Sequence, residues 1–532
     1  MAHAAATEVI ADQTPPVLKG PSDKEKKYDR QLRLWGGQGQ QALEDAHILL
    51  LNNGAGTVGI ETLKNLVLPG IGRFTILDEA TVTEADLGVN FFLDEEQLGQ
   101  PRAVACTALL RELNPDVAGE GVHLSKNGLA EFLQTQESIT LILFSFPIEP
   151  SALSILEAYG RKHKVPLVSV HSAGFYSYFR IVLPGTFPIV DTHPDSTATT
   201  DLRLLNPWPE LTKFAEEQTA DIDNLSAFDH GHVPYIALLL HYLHEWKEKH
   251  GSMPSAYKEK TAFRETVSAA MRSDTPEGGE ENFEEAISAV LKTVSLPSLA
   301  SSVKEVLEFE PQTEDVDSDF WIIARAIKEF HTKHDQLPLP GSVPDMKTQS
   351  TIYVKLQNIY KAKARQDVAE VLETVRSHPR GKEIDVTEVE VFCKNAAFVK
   401  LIHGSDQPPA NLGTLAKREF QSDEDAAAWN GPLSLLPIFL ALHATSHDSS
   451  ASSSDIIATI DKTIPDASSN PRVEKIAQEV ARAAGGELHN ISSLTGGMVS
   501  QEIIKIITKQ YIPIDNTCVF DGITSRAQVF RI

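Results

Sequence analysis

Cysteine is scarce in this 532-residue chain, and so is any long apolar run. The three cysteines, Cys106, Cys393 and Cys518, lie far apart and form no C-x-x-C pair. That argues against a disulfide framework and against a cysteine zinc site, and it suits a reducing compartment. The expected location is therefore cytoplasmic and/or nuclear. No stretch of roughly 18 uninterrupted apolar residues occurs, so a membrane span is not expected. Positive charge is the third shortage: 48 Lys and Arg stand against 73 Asp and Glu, a net charge of -25. Nucleic acids and anionic membranes both reward cations, so neither is an expected partner. The opening MAHAAATEVIADQTPPVLKGPSD lacks a basic n-region and a long apolar core. Residues 1–26 therefore read as a flexible tail rather than a secretory signal.

What is present is a soluble globular composition, 42% apolar and 23% charged, in a chain long enough for several cores. The first third alternates two textures. Short apolar runs, HILLL (47–51), RFTIL (73–77), ITLILF (139–144), PLVSV (166–170) and YFRIVL (178–183), read as strands. Helical patterns such as IETLKNLVL and PRAVACTALLREL lie between several of them, which predicts βαβ units and a largely parallel sheet. From about residue 195, long amphipathic stretches take over. In SDFWIIARAIKEF, Phe320, Ile323, Ile327 and Phe330 recur at helical steps, and Asp319 or Ser318 is placed to cap. SHDSSASSSD (446–455) reads as a loop or linker. After about residue 485 the early texture returns, with Gly496 and Gly497 ahead of an apolar helix and a closing hairpin. The fold class is α/β. One Rossmann-like domain is expected from both chain ends, 27–190 and 485–532, interrupted by a mainly helical insertion over 191–484.

LLLNNGAGTVGIETLKNL carries Gly54, Gly56 and Gly59 where a strand hands over to a helix. Asp78 ends the next apolar run, about 20 residues on, where an acid would accept from a ribose hydroxyl. A helix start offers oriented N–H groups and partial positive charge to a phosphate. The same glycines equally suit a tight turn and close helix–strand packing. Phosphoryl or adenylyl chemistry also needs cations and a magnesium-binding carboxylate. EADLGVNFFLDEEQLGQPRA holds Asp86, Asp94, Glu95 and Glu96 but a single cation, Arg102, and the ITLILF strand ends in Ser145, Phe146 and Pro147.

Five segments make a resemblance specific: KYDRQLRLWGGQGQQALEDAHILLL, LKNLVLPGIGRFTILD, GVNFFLDEEQLGQPRA, HPDSTATTDLRLLNPWPEL and GGMVSQEIIKIITKQYI. Together they resemble the ubiquitin-activating-enzyme family, nearest its neddylation branch. The resemblance implies an adenylation-type domain whose insertion is like a catalytic-cysteine domain without its cysteine. Active halves of that family carry Asn-Arg-Gln-Phe after the ribose-binding acid, and Gly88, Val89, Asn90 and Phe91 stand at those positions. A family lysine corresponds to Arg102, and the family's magnesium-binding aspartate has no counterpart around Ser145 to Pro147. Gly54, Gly56, Gly59 and Asp78 are then an inherited scaffold in a non-catalytic half. The resemblance implies no catalytic residue, metal or cofactor in this chain itself. It implies a heterodimer with a catalytic subunit that holds ATP and magnesium and adenylates a ubiquitin-like modifier. It also implies that Arg30 crosses to the partner's ATP phosphates, a task suited to a planar guanidinium.

Other residue groups have plainer readings. Tyr28, Leu32 and Trp35 share one helical face and Arg30 and Arg33 another, so a packing helix with solvated arginines also accounts for that segment. Cys393 in VEVFCKNAAFVKLI has apolar neighbours suited to a buried structural thiol. His230, His232, His241 and His244 show no complete metal-ligand motif. Phe91 and Phe92 fit either core or interface. Two rival functions share the glycine signature: an NAD-dependent oxidoreductase and a self-sufficient homodimeric adenylating enzyme.

Overall fold

HILLL becomes a strand buried along its whole length, His47–Leu51, and it sits inside an eight-stranded sheet. The computed structural model of the chain describes residues 20–124, 128–136, 138–195, 201–272, 279–295, 298–312, 317–404 and 411–532. Most of the expected N-terminal tail lies outside the described residues. Strands are numbered in chain order: β1 His47–Leu51, β2 Arg73–Asp78, β3 Ala118–His123, β4 Leu141–Ser145, β5 Leu167–Ala173, β6 Tyr176–Val182, β7 Thr186–Val190, β8 Val399–His403, β9 Thr517–Asp521 and β10 Arg526–Phe530.

Two compact units result. The first runs up to Gly185 and resumes over Gly404–Thr508 and Pro513–Ile532. Its sheet has the order β10-β9-β6-β5-β4-β1-β2-β3. Strands β1 to β5 are parallel to one another, with Ile48 opposite both Phe74 and Leu141, while β6, β9 and β10 add antiparallel strands beyond β5. The order β3-β2-β1-β4-β5 reverses direction between β1 and β4. That is the switch point beside which open α/β sheets bind their ligands.

The C-terminal helix spans His489–Thr508, so Gly496 and Gly497 lie inside it, not ahead of it. Gly496 is there for close approach: a Cβ would stand 2.8 Å from the backbone nitrogen of Thr62 on the helix Thr57–Val67. Residues 404–484 also belong to this unit rather than to the insertion. Their helices Leu436–Ala444, Ser453–Thr463 and Pro471–Ala483 build one apolar cluster with Tyr178 of β6 and Val519 of β9. The serine-rich stretch is a packed connection within the unit. Ile148 N–H donates to the Ser446 carbonyl at 2.9 Å, and Ser452 caps the next helix.

The second unit is Thr186–His403 with Lys509–Ile512. It is mainly helical, with one antiparallel ribbon in which Thr186 of β7 faces His403 of β8. Two clusters form its interior, one around Phe214, Leu238, Phe263 and Tyr360, the other around Trp321, Ile323, Val389 and Phe392. The stripe of the helix Asp319–His334 packs as its spacing predicts, with Ile323, Ile327 and Phe330 buried. Ser318 is its N-cap residue, although its side chain makes no capping hydrogen bond.

Candidate functional site

The chain leaves β1 through Asn52 and Asn53 and turns at Gly54 (φ +62) and Gly56 (φ +68) before the helix Thr57–Val67. Both positive φ values sit where L side chains are strained. Gly59 answers a different need: a Cβ there would stand 2.7 Å from Asn52 Oδ1 and 3.0 Å from a Leu50 methyl. The loop therefore has the geometry its spacing predicts, and it opens onto the switch point between β1 and β4.

The polar groups around this loop are engaged by other groups of the same chain. Arg102 is buried, and its guanidinium points into the loop. Nε donates to Asp78 Oδ2 at 2.7 Å, and the NH2 group reaches Asp78 Oδ1 at 3.2 Å and the Gly54 carbonyl at 2.9 Å. The NH1 group donates to Asp86 Oδ1 at 2.9 Å and to the Ala55 carbonyl at 3.1 Å. Burial works against the Asp86 carboxylate, yet hydrogen bonds from Thr83 and Arg102 hold it below the usual range. Asp78 also accepts from Asn52 Nδ2 at 2.8 Å and from Ala80 N–H at 2.8 Å. Both oxygens of the expected ribose acceptor are thus engaged inside the protein.

Beside the loop, three hydrogen bonds join Asn53 and Ser145. Asn53 N–H donates to Ser145 Oγ at 2.7 Å, Asn53 Nδ2 donates to the Ser145 carbonyl at 2.9 Å, and Ser145 Oγ donates to the Asn53 carbonyl at 3.0 Å. These bonds tie the end of β1 to the end of β4.

A carboxylate from the far end of the sequence sits on the helix start. Val58 N–H donates to Glu487 Oε2 at 2.8 Å, and Ser492 Oγ donates to the same oxygen at 2.6 Å. A bridge between Gly174 and Glu487 and a bond from Gly174 N–H to the Gly486 carbonyl fix the backbone that carries it. Burial pushes the Glu487 carboxyl up to about 7, against the pull of Ser492, of the Val58 and Gly56 N–H groups and of Arg102. The native state then holds a proton that the unfolded chain releases near pH 4.5. This contribution to stability is complete below about 4.5 and is lost as pH rises through about 7. Glu487→Gln cannot titrate. The stability of the unaltered chain relative to Glu487→Gln should therefore fall by about 3 kcal/mol between pH 4.5 and pH 8. Denaturant unfolding of both chains across that range measures it, and a difference that stays flat would refute it.

Phe91 is exposed and stacks on His489 with ring centroids 3.7 Å apart, while Phe92 is half-buried. Val89 presents its carbonyl to His489 Nδ1 at 3.0 Å. Arg30 is exposed on the helix Asp29–Glu44 and makes no ion pair with a described residue, whereas Arg33 is tied to Asp29 at 3.0 Å.

In the second unit Cys393 is buried, and burial pushes its thiol up to about 12. A thiolate nucleophile needs the opposite environment. Cys393 should resist iodoacetamide at pH 7.5 in the native chain and be alkylated only after unfolding, with peptide mass spectrometry as the readout. Rapid native alkylation would contradict this. His241 and His244 bond along their helix to Glu245 and Glu248 at 3.3 and 3.4 Å, and His230 pairs with buried Glu280 at 2.7 Å. Among the described residues, no group of three or more His, Cys, Asp or Glu side chains is placed to hold a metal ion.

Sequence reasoning placed Gly54, Gly56, Gly59, Asp78 and Arg102 together, and the structure brings them together. It missed Glu487, whose only sequence signal is an acid directly after Gly485–Gly486 at the return of the α/β texture. It also missed the Asn53–Ser145 stitch.

This is an adenylation-type fold in which the acid and the carbonyls of the glycine loop are bonded within the chain. The ThiF family model matches residues 28–532. Relatives match over almost their full length. The NEDD8-activating enzyme E1 regulatory subunit of Xenopus laevis is 35% identical over 540 residues, covering 96% of this chain and 99% of that protein. The Nedd8-activating enzyme E1 regulatory subunit of Drosophila melanogaster is 36% identical, covering 97% and 99%. The NEDD8-activating enzyme E1 regulatory subunit AXR1 of Arabidopsis thaliana is 33% identical, covering 95% and 96%. The chain belongs to the ThiF family and, within it, to the group formed by these regulatory subunits.

Proposed function

We propose that this chain is the regulatory, non-catalytic subunit of a heterodimeric NEDD8-activating enzyme. Its partner is a catalytic subunit that binds ATP and magnesium, adenylates the C-terminal carboxylate of the modifier and carries the modifier as a thioester. The observation that supports a non-catalytic role is the filled loop: Arg102 engages Asp78, Glu487 lies on the helix start, and Ser145 ties down Asn53. A pocket in this state has no cation free to face a reacting triphosphate. The buried Cys393 agrees with thioester chemistry residing on the partner. Arg30 is this chain's contribution to the partner's ATP site. The complex works in the cytoplasm and/or the nucleus.

The test is co-purification with a candidate catalytic subunit, followed by incubation with ATP, magnesium and NEDD8. A reductant-sensitive NEDD8 conjugate should form on the partner, only when both subunits are present, and more readily than with ubiquitin. Failure of the two chains to associate would overturn the proposal. ATP–pyrophosphate exchange by this chain alone would make it a self-sufficient adenylating enzyme, and tight NAD binding would make it an oxidoreductase.

A further inference from the structure

We infer that Glu487 is an internal stopper: it occupies the anion seat of the glycine loop and thereby excludes phosphate ligands from this chain. The inference concerns the chain by itself and goes beyond its role in a heterodimer. The helix Thr57–Val67 begins at a left-handed glycine, with its first N–H groups turned toward the seat, as phosphate-binding helices do. The group found there is the Glu487 carboxyl, accepting from Val58 N–H and from Ser492 Oγ on one oxygen. Glu487 is 6% exposed, so solvent has little access to that oxygen. Its backbone is held from two sides, by the bridge to Gly174 and by the helix that begins at His489. It is also supplied within the same chain, so it competes with dissolved phosphate at a high effective concentration.

A second observation concerns the start of the same helix. Thr57, the first residue of that helix, buries its hydroxyl with no hydrogen-bond partner. With Glu487 shortened, Val58 N–H and Ser492 Oγ lose their acceptor and are left as a small donor set of the kind that takes phosphate oxygens. The nucleoside half of the site stays closed, because Asp78 keeps both its oxygens on Arg102, Asn52 and Ala80. The opened seat is accordingly selective for the phosphate group and indifferent to the nucleoside.

The experiment uses the full chain, unaltered and as Glu487→Ala and Glu487→Gln. Titration calorimetry with inorganic pyrophosphate and with ATP is paired with thermal melts in each ligand. The unaltered chain and Glu487→Gln, which keeps the seat filled, should show no saturable binding. Glu487→Ala should bind pyrophosphate at least roughly tenfold tighter than the unaltered chain, with a matching rise in melting temperature. ATP should bind it no tighter than pyrophosphate does. If the alanine variant does not fold, Glu487→Ser takes its place. Saturable pyrophosphate or ATP binding by the unaltered chain overturns the inference. So does a folded alanine or serine variant that gains nothing.

Discussion

Arg102→Met should destabilise the α/β unit by about 3–5 kcal/mol, because it strips the counter-ion from two buried carboxylates at once. Asp78 and Asp86 are 2% and 6% exposed, and the Arg102 guanidinium bonds to both. The methionine fills similar volume but offers no donor. Asp78 retains Asn52 Nδ2 and Ala80 N–H, while Asp86 retains only bonds from Thr83. The loop carbonyls of Gly54 and Ala55 lose their donors as well. Arg102→Lys should recover only part of the loss, since one ammonium cannot reach four acceptors in a fork. The triple change Arg102→Met, Asp78→Asn, Asp86→Asn should recover more than the lysine, because it removes the buried charges instead of leaving them unpaired. Denaturant unfolding of the four chains is the measurement. A loss for Arg102→Met under about 1 kcal/mol would show that the guanidinium does not hold this site together.

Arg102 also marks where the sequence could be read and where it could not. Its identity as the sole cation of its segment was visible. Its direction was not. A guanidinium near a glycine loop suits a phosphate as well as it suits two acids, and sequence spacing does not fix a rotamer. The buried carboxylates of Asp78 and Asp86 and the Gly54 and Ala55 carbonyls together turn the cation inward.

The central strands were legible because β1 and β4 are buried along their length and carry the apolar runs ILLL and LILF, while buried β5 begins with Leu167 and Val168. AGEGVH escaped, because β3 is an edge strand with glycines and half-exposed residues. A signal was present all the same. Gly119 and Gly121 share one face, and a Cβ on Gly121 would stand 2.4 Å from the Ala103 carbonyl of the covering helix. The end of the insertion was misplaced for another reason. LPIFLALHA is apolar on every side, which announces burial but not which core receives it, and that core is the sheet of the first unit. Glu487 shows the same limit: its contact with Val58 spans 429 residues, and no local pattern encodes a pairing at that range.

Arg30→Ala should slow adenylate formation by the assembled heterodimer by about 10²–10³-fold, the range expected when a charged donor to a transition-state phosphate is removed. This chain presents Arg30 in the state such a donor needs. The helix that carries it is anchored on its inner side. Tyr28 is buried, and its hydroxyl accepts from Asn114 at 3.0 Å, while buried Gln40 donates to the Pro69 carbonyl at 3.1 Å. Arg33 is occupied by Asp29, but Arg30 is exposed and has no ion pair among the described residues. An anchored helical turn with an uncommitted guanidinium costs less to order on binding a phosphate than a guanidinium already held in an ion pair. Removing an exposed side chain should leave this subunit's own stability within about 0.5 kcal/mol, and gel filtration should show an intact complex. Arg30→Lys should restore the charge but not the forked geometry, and so recover only part of the rate. Arg33→Ala is the control, expected to change the rate by no more than about threefold, since an exposed i,i+4 pair contributes little. ATP–pyrophosphate exchange at limiting ATP reads the effect. An intact Arg30→Ala complex with unchanged exchange kinetics would remove Arg30 from the partner's site and leave it a solvated arginine on a packing helix.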